Sequence, residues 1–173
     1  MGVKSLKNEE AEKMIKIRFC NVLEGFNKYK YVELSPKEDK EIKIIEEDFI
    51  NALEEFFDLN SEKNKVIIDF YKNKLDNNSI NFIYENIDFH ERELFNDILN
   101  EGSSNSIFFE IRDKKYIKLL TKLCTRELFF ITFYFTKGPI LVWGNYNFKF
   151  PLFYNDEKNI KEYIDIAKSN NLF

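Results

Sequence analysis

The sequence predicts a single α+β domain, and two observations favour that class. Residues Leu128–Tyr154 form the densest apolar and aromatic stretch of the chain, interrupted by two turn signals, which is typical of three consecutive strands. Residues 1–102, in contrast, carry mainly a helical spacing of apolar side chains. We therefore predict one domain over 1–173, with a helical subregion at 1–102 and a sheet-containing subregion at 103–173. In this interpretation a helical N-terminal half is followed by a β-α-β-β-β-α unit with a four-stranded mixed sheet.

The first sixty residues are predicted to contain two long helices. Apolar side chains fall on one helical face over Asn8–Phe26, and a short extended piece follows at Tyr29–Leu34. The second helix is predicted over Pro36–Leu59, because Ser35 can cap it, proline suits its first position, and Glu38 completes a capping box.

The next forty residues give mixed signals. A helix after Ser61 competes with a strand at Val66–Ile68, since that short apolar run suits both. Asp76–Ser79 is predicted to be a turn, and Ile80–Ile87 is undecided between a strand and a helical turn. Asp88, with a glutamate three residues later, has the pattern of a helix start that runs to about Gly102.

The C-terminal half is predicted to supply the sheet. Ile107–Arg112 is a strand, a helix follows at 113–125, and Leu128–Phe135 is the next strand, which together indicate a β-α-β unit with a right-handed crossover if the strands are parallel. Two further strands follow tight turns, and the last contains Pro151, which favours a sheet edge because proline cannot donate a hydrogen bond. A final helix is predicted over 156–169.

Composition limits the class of protein. With 173 residues, 44% hydrophobic and 17% aromatic side chains, the chain can bury a sizeable core, so intrinsic disorder is excluded. The N-terminus lacks the apolar core of a signal peptide, and no apolar run is long enough for a bilayer, so we expect a cytoplasmic protein without membrane association. Cys20 and Cys124 are expected to be reduced thiols. The many Lys, Asn, Ile, Phe and Tyr residues are typical of an AT-rich genome, and we expect a bacterial source.

Motifs for catalysis or cofactor binding are missing from the sequence. It contains no glycine-rich phosphate loop and no nucleophile motif, and its 5 glycines are scattered. His90 is the only histidine, and no cysteine pair at ligand spacing accompanies it, so we expect no metal site and no cofactor. A net charge of −4 disfavours nucleic acid as a partner. Whether the protein is an enzyme is left open, with binding favoured.

Charge is distributed unevenly along the chain. Residues 1–60 contain 14 acidic and 10 basic side chains, whereas residues 61–173 contain 16 of each. Within Pro36–Leu59, 9 acidic residues accompany 3 basic ones. An acidic helix of this kind can attract a basic protein, while the alternative is that the charge only keeps the helix soluble. A second charged feature, a basic helix face formed by Lys114, Lys115, Lys118 and Lys122, is interpreted as a solvated surface.

The favoured hypothesis is an interaction module that binds a basic protein through helix 36–59, for example an immunity or antitoxin protein. The residues predicted to bind the partner are Glu46, Glu47, Glu54, Glu55, Asp58, Trp143 and Tyr146. An alternative is a small-molecule-binding or enzymatic domain whose pocket lies beside the aromatic sheet, near Tyr134, Trp143 and His90. A structural assembly component is a third possibility, and the oligomeric state is left open.

Overall fold

The computed structural model describes residues 2–61 and 63–173, and this part of the chain contains seven strands and seven α-helices. The strands are β1 Val3–Leu6, β2 Lys30–Leu34, β3 Val66–Asp69, β4 Phe108–Ile111, β5 Thr132–Phe135, β6 Ile140–Trp143 and β7 Phe150–Tyr154. The helices are α1 Asn8–Met14, α2 Val22–Lys28, α3 Ile42–Asn60, α4 Asn77–Glu85, α5 Phe89–Asn100, α6 Lys115–Thr125 and α7 Glu157–Ser169. The predicted α+β class is therefore confirmed.

All seven strands join one open sheet in the order β1-β4-β3-β5-β6-β7-β2, and every neighbouring pair is antiparallel. The prediction of a four-stranded mixed sheet was wrong, and so was that of a helical N-terminal half, because β1, β2 and β3 all precede residue 103. Only the extended piece expected at Tyr29–Leu34 corresponds to one of these strands, β2. β1 has only two apolar residues among its four, and the apolar run that forms β3 suits a helix as well as a strand. The sheet thus crosses the predicted boundary between the subregions.

The predicted β-α-β unit exists in the chain but not as a pair of neighbouring strands. β4, α6 and β5 follow one another as predicted, yet β3 lies between the two strands and pairs antiparallel with both. β4 and β5 therefore run in the same direction without bonding to each other. β5 is also shorter than predicted, because the backbone N–H groups of Leu128 and Phe129 both bond to the carbonyl of Leu123 and so continue the end of α6.

Two other predictions about single segments were wrong for reasons visible in the hydrogen bonds. Pro151 is not on an edge strand, since β7 lies between β6 and β2 and Pro151 pairs with Glu33. The pairing of β6 with β7 ends at Leu152, the residue that follows Pro151, so the missing N–H of the proline falls outside that ladder. The segment from Ser35 to Lys37 is not helical, because its N–H groups bond to the carbonyls of the C-terminal Leu172 and Asn171.

The predicted helix over Asn8–Phe26 is divided into α1 and α2. Asn21 starts the second helix by accepting a hydrogen bond from the backbone N–H of Glu24 at 3.1 Å, and Ile15 and Ile17 between the helices are buried. Asp76 likewise begins α4 where we predicted a turn, since its carboxylate accepts from the N–H of Ser79 at 2.7 Å. Both cases are helix caps whose residues also favour turns.

Several local predictions are confirmed. The capping box of Asp88 and Glu91 starts α5, and Gly102 follows the end of that helix with φ +69°. The helices predicted at 113–125 and 156–169 correspond to α6 and α7. Val66–Ile68, which the sequence left open between a helix and a strand, lies in β3.

The two faces of the sheet are covered differently. Helices α3 to α7 pack on one face and form the main core, in which Phe56, Phe109 and Leu120 are fully buried. The other face is covered by residues 8–29, which we call the strap. Ala11 and Ile15 of the strap pack on Ile67 of β3, and further along Ile17 packs with Leu141 and Phe153. The strap is much smaller than the helical layer, which leaves part of this second face open.

A buried ion pair fixes α6 to α5 in the helical layer. The ammonium of Lys122 lies 2.6 Å from a carboxylate oxygen of Glu91 and 3.0 Å from Asp88. Glu91 is only 2% exposed, so its charge depends on this partner.

We therefore predict that Lys122→Met lowers the free energy of unfolding by about 3–5 kcal/mol, because it leaves the Glu91 carboxylate buried and unpaired. Urea denaturation followed by circular dichroism measures the change. The control is Lys115→Met on the same helix: its side chain is about half exposed and pairs with Asp113, so the free energy of unfolding should change by less than about 1 kcal/mol. Equal losses for the two variants would contradict the role given to the pair.

Candidate functional site

The acidic residues predicted to bind a partner lie on α3, but Glu46 is not on the surface. It is 8% exposed, and its carboxylate forms a two-point ion pair with the guanidinium of Arg126, with N···O distances of 2.7 and 2.8 Å. The hydroxyl of Thr125 donates to the same carboxylate at 2.9 Å. Although burial acts in the opposite direction, these donors hold the pKa of Glu46 below its ordinary value.

The remaining acidic residues of the prediction are more accessible. Asp58 is exposed and pairs with Lys114, just before α6, at 2.8 Å, and Glu55 accepts from the side chain of Asn170 at 3.0 Å. Glu54 is half-buried, and burial raises its pKa. Glu47 is exposed.

Two basic residues that flank α6 thus pair with the acidic helix, Lys114 before α6 and Arg126 after it. Of the basic face that we interpreted as solvated, Lys114 pairs with Asp58 of α3, whereas Lys122 is buried and pairs with Glu91 of α5. Part of the charge asymmetry is balanced inside the molecule. Sequence counts could not reveal this, because they carry no information on which helices pack together.

The two predicted aromatic anchors occupy different positions. Trp143 is half-buried on the strap side, and its ring stacks on Phe19 with centroids 5.5 Å apart and planes 8° apart. Tyr146 is 55% exposed, and its ring packs edge-to-face with that of Phe130, with the ring centroids 4.4 Å apart. Phe130 and Trp143 both line the cleft described next, so the anchors lie within and beside one site rather than on the acidic helix.

This cleft opens on the strap side where β3 ends, β5 begins and β6 ends. Asp69 pairs with Thr132, and Thr132 pairs with Trp143, so the three side chains stand side by side on one face. The cavity has a volume of about 260 Å³. Its lining residues are Phe19, Cys20, Asp69, Tyr71, Phe130, Ile131, Thr132, Tyr134 and Trp143.

Asp69 is the chemically unusual member of the cleft. Its side chain is 8% exposed and accepts hydrogen bonds from the backbone N–H of Thr132 at 2.9 Å and from the hydroxyl of Tyr134 at 3.3 Å. Burial raises the pKa of Asp69 to about 6, and the hydrogen bonds from the backbone and side chain of Thr132 and from Tyr134 only partly oppose that effect. Near neutral pH the protein therefore carries an ionised carboxylate in an environment that favours the neutral acid.

The neighbouring phenols respond to the same environment. Burial and then the charge of Asp69 raise the pKa of Tyr134 and of Tyr71, so both hydroxyls stay protonated and can act as hydrogen-bond donors. Among the described residues that line the cleft, Asp69 is the only one with a charged side chain. The arrangement can hold a proton or a cation at the carboxylate, with aromatic rings around it.

The alternative hypothesis placed a pocket near Tyr134, Trp143 and His90, and the cleft contains only the first two of these residues. Tyr134 and Trp143 line the cleft, but His90 is exposed at the first turn of α5, on the helix-covered side. His90, Asp88 and Glu91 place one potential metal ligand each within 4.8 Å of one another. Both carboxylates already pair with Lys122, which offsets the negative charge that a metal ion would need.

Sequence reasoning missed Asp69. The available signal was an aspartate that ends a fully apolar run, Val66-Ile67-Ile68, because a charge beside such a run is unusual in a buried strand. The cleft itself could not be foreseen, since it depends on the pairing of three strands that are distant in the sequence.

Comparisons with known proteins give no further guide: no family model, no curated protein and no solved structure matches the chain. In the described ranges, none of the helices has the length and apolar character needed to cross a membrane.

We predict that Asp69→Asn becomes more stable than the parent protein as the pH rises. The folded-state pKa of about 6 lies above the ordinary 3.8, so Asp69 contributes stability while protonated and loses it as the pH rises through the folded pKa. Asparagine mimics the neutral acid and avoids that loss. The difference in unfolding free energy should grow by roughly 2 kcal/mol between about pH 4 and pH 8, measured by urea denaturation.

A matched control has the opposite sign. Hydrogen bonds from Ser79 hold the pKa of Asp76 below its ordinary value, so Asp76→Asn should lose stability relative to the parent protein as the pH rises. A pH-independent effect of Asp69→Asn would show that the carboxylate is not strained by burial.

Proposed function

We propose that the protein is a small-molecule-binding protein whose ligand occupies the cleft around Asp69. The observation that carries this proposal is a charged carboxylate that is more than nine-tenths buried at the ends of three adjacent strands, among five aromatic side chains. A buried charge lowers stability unless something interacts with it, and such groups are concentrated at functional sites. We also propose a cytoplasmic location, which fits two free cysteines, one exposed and one buried.

The cleft offers what a ligand site needs in addition to the carboxylate. Its floor consists of strand residues, so it is held by the sheet rather than by loops alone. Thr132 and Tyr134 add hydroxyl groups that can fix the orientation of a ligand. Its volume of about 260 Å³ is close to the lower end of the range for ligand pockets, which favours a small ligand.

A fragment screen tests this proposal with two reporters that the chain supplies. Trp143 is the only tryptophan and lines the cleft, so its fluorescence should change when a fragment binds there. Cys20 is exposed at the cleft whereas Cys124 is buried, so a thiol reagent should modify Cys20 first. We expect fragments that change the fluorescence also to slow this modification severalfold.

The control for the second reporter is Cys20→Ser, which should remove the fast modification and keep the fluorescence response. If the library contains no fragment that affects both reporters, the proposed function is wrong. Fragments that raise the melting temperature without affecting either reporter bind elsewhere and do not support it.

A second candidate function, binding of a basic protein by α3, is favoured by what remains exposed on that helix. Glu47, Glu55 and Asp58 face solvent, and Ile42 and Ile44 at its start are 72% and 43% exposed. Acidic side chains beside exposed apolar ones are suited to a basic partner with an apolar centre. Glu46 is not part of this surface, because its charge is taken up by Arg126.

For this second candidate we predict that Glu47→Lys/Glu55→Lys keeps the melting temperature but loses a basic partner that binds the parent protein at low salt. An affinity pull-down from the source organism at low and high salt, analysed by mass spectrometry, provides the measurement. The control reverses two exposed charges on another helix, as Glu157→Lys/Asp165→Lys. A partner that both variants retain would argue against recognition by α3.

A further inference from the structure

We propose that the ligand group held in the cleft is a small alkylammonium cation placed against the Asp69 carboxylate. This inference rests on the ligand-binding function proposed above and narrows it to one class of ligand. It follows from the charge of the cleft, from the character of its walls and from its size.

The charge of the cleft favours a cation. Asp69 provides the single formal charge among the described lining residues, and the cleft has no arginine or lysine in that set to neutralise it. The hydrogen-bond donors around it are the backbone N–H and hydroxyl of Thr132 and the hydroxyl of Tyr134, which are neutral and leave the carboxylate its negative charge. A ligand with a positive group would supply the missing partner, whereas an anionic ligand would be repelled.

The walls of the cleft favour an alkylated cation over a strongly hydrated one. Phe19, Tyr71, Phe130, Tyr134 and Trp143 line the site. Aromatic faces attract organic cations through their quadrupole, and cages of such rings bind quaternary ammonium groups in particular. The Phe19 and Trp143 rings lie nearly parallel with centroids 5.5 Å apart, which joins a ring of the strap to a ring of the sheet in one wall.

We assign the pH dependence of ligand binding to the Asp69 carboxylate rather than to the other titratable groups around it. The other titratable groups that line the cleft or lie near Asp69 are Tyr134 of β5, Tyr71 after β3, Cys20 of the strap and Cys124 of α6. Burial keeps the pKa values of both tyrosines and of Cys124 above their ordinary values, so these three stay neutral in mildly acidic and neutral solution.

Choline and its uncharged isostere 3,3-dimethylbutan-1-ol test the inference, because they share one shape and differ in charge. Binding to the full chain is followed by Trp143 fluorescence in buffers of matched ionic strength. We expect choline to bind about tenfold more tightly than the alcohol near pH 7.5. Because the pKa of Asp69 is about 6, choline should bind about tenfold more weakly near pH 5 than near pH 7.5, while the alcohol should not change.

The Asp69→Asn variant should lose this preference for choline and its pH dependence, since the carboxylate is gone while the cleft keeps its shape. Asp165→Asn removes one exposed carboxylate from α7 instead and should bind choline like the parent protein. Equal affinities of the parent protein for choline and the alcohol would overturn the inference but leave the ligand-binding function standing. Failure of both probes, together with a fragment screen without hits, would overturn both.

The cation can come from a free metabolite or from a methylated lysine of another protein. Nα-acetyl-trimethyllysine amide carries the same head group as choline on a longer chain. Tighter binding of choline would assign the site to a free small molecule, and tighter binding of the lysine derivative to a protein side chain. Either result requires the charge selectivity described above, and without that selectivity the inference fails for both sources.

Discussion

The structure depends on one constraint: a seven-stranded sheet has two apolar faces, and both need cover. Helices α3 to α7 cover one face and form the main core with aromatic and aliphatic side chains of β5, β6 and β7. Only the strap of residues 8–29 covers the other face, and it contacts the sheet through two small clusters. The cleft at Asp69 lies on this more thinly covered face, between Phe19 and Cys20 of the strap and the ends of β3, β5 and β6. The candidate site is therefore a result of unequal coverage of the two faces.

Charge has two separate uses in this molecule. Between α3, α5 and α6 it holds helices together, through Arg126 with Glu46 and Lys122 with Glu91. Glu46, Lys122 and Glu91 are buried and each has a charged partner, so their cost of burial is largely offset. At Asp69 a single carboxylate is buried with hydrogen bonds but without a cation among its described partners. The difference between paired and unpaired burial distinguishes the parts of the molecule that serve stability from the part suited to binding.

Local signals in the sequence predicted local structure well, and they failed where distant segments decide. The structure contains the features that depend on neighbouring residues: the capping box at Asp88, the helix that ends at Thr125 and the hairpins after residue 131. Membership of β1, β2 and β3 in the sheet depends on pairing with strands far along the chain, which no local pattern records. The same holds for the site: Trp143 and Tyr134 were recognised as candidates, but Asp69 becomes notable only once Thr132 lies beside it.

The order of strands also determines when the fold can be completed. Both outermost strands come from the N-terminal region: β1 pairs with β4, and β2 pairs with β7 near the other end of the chain. During synthesis, β2 and the strap beside it must wait for β7 before β2 can join the sheet. Pairings of such long range fold slowly and expose apolar surface while they form. The cleft, which needs the strap in place over β3, β5 and β6, is thus among the last features of the molecule to appear.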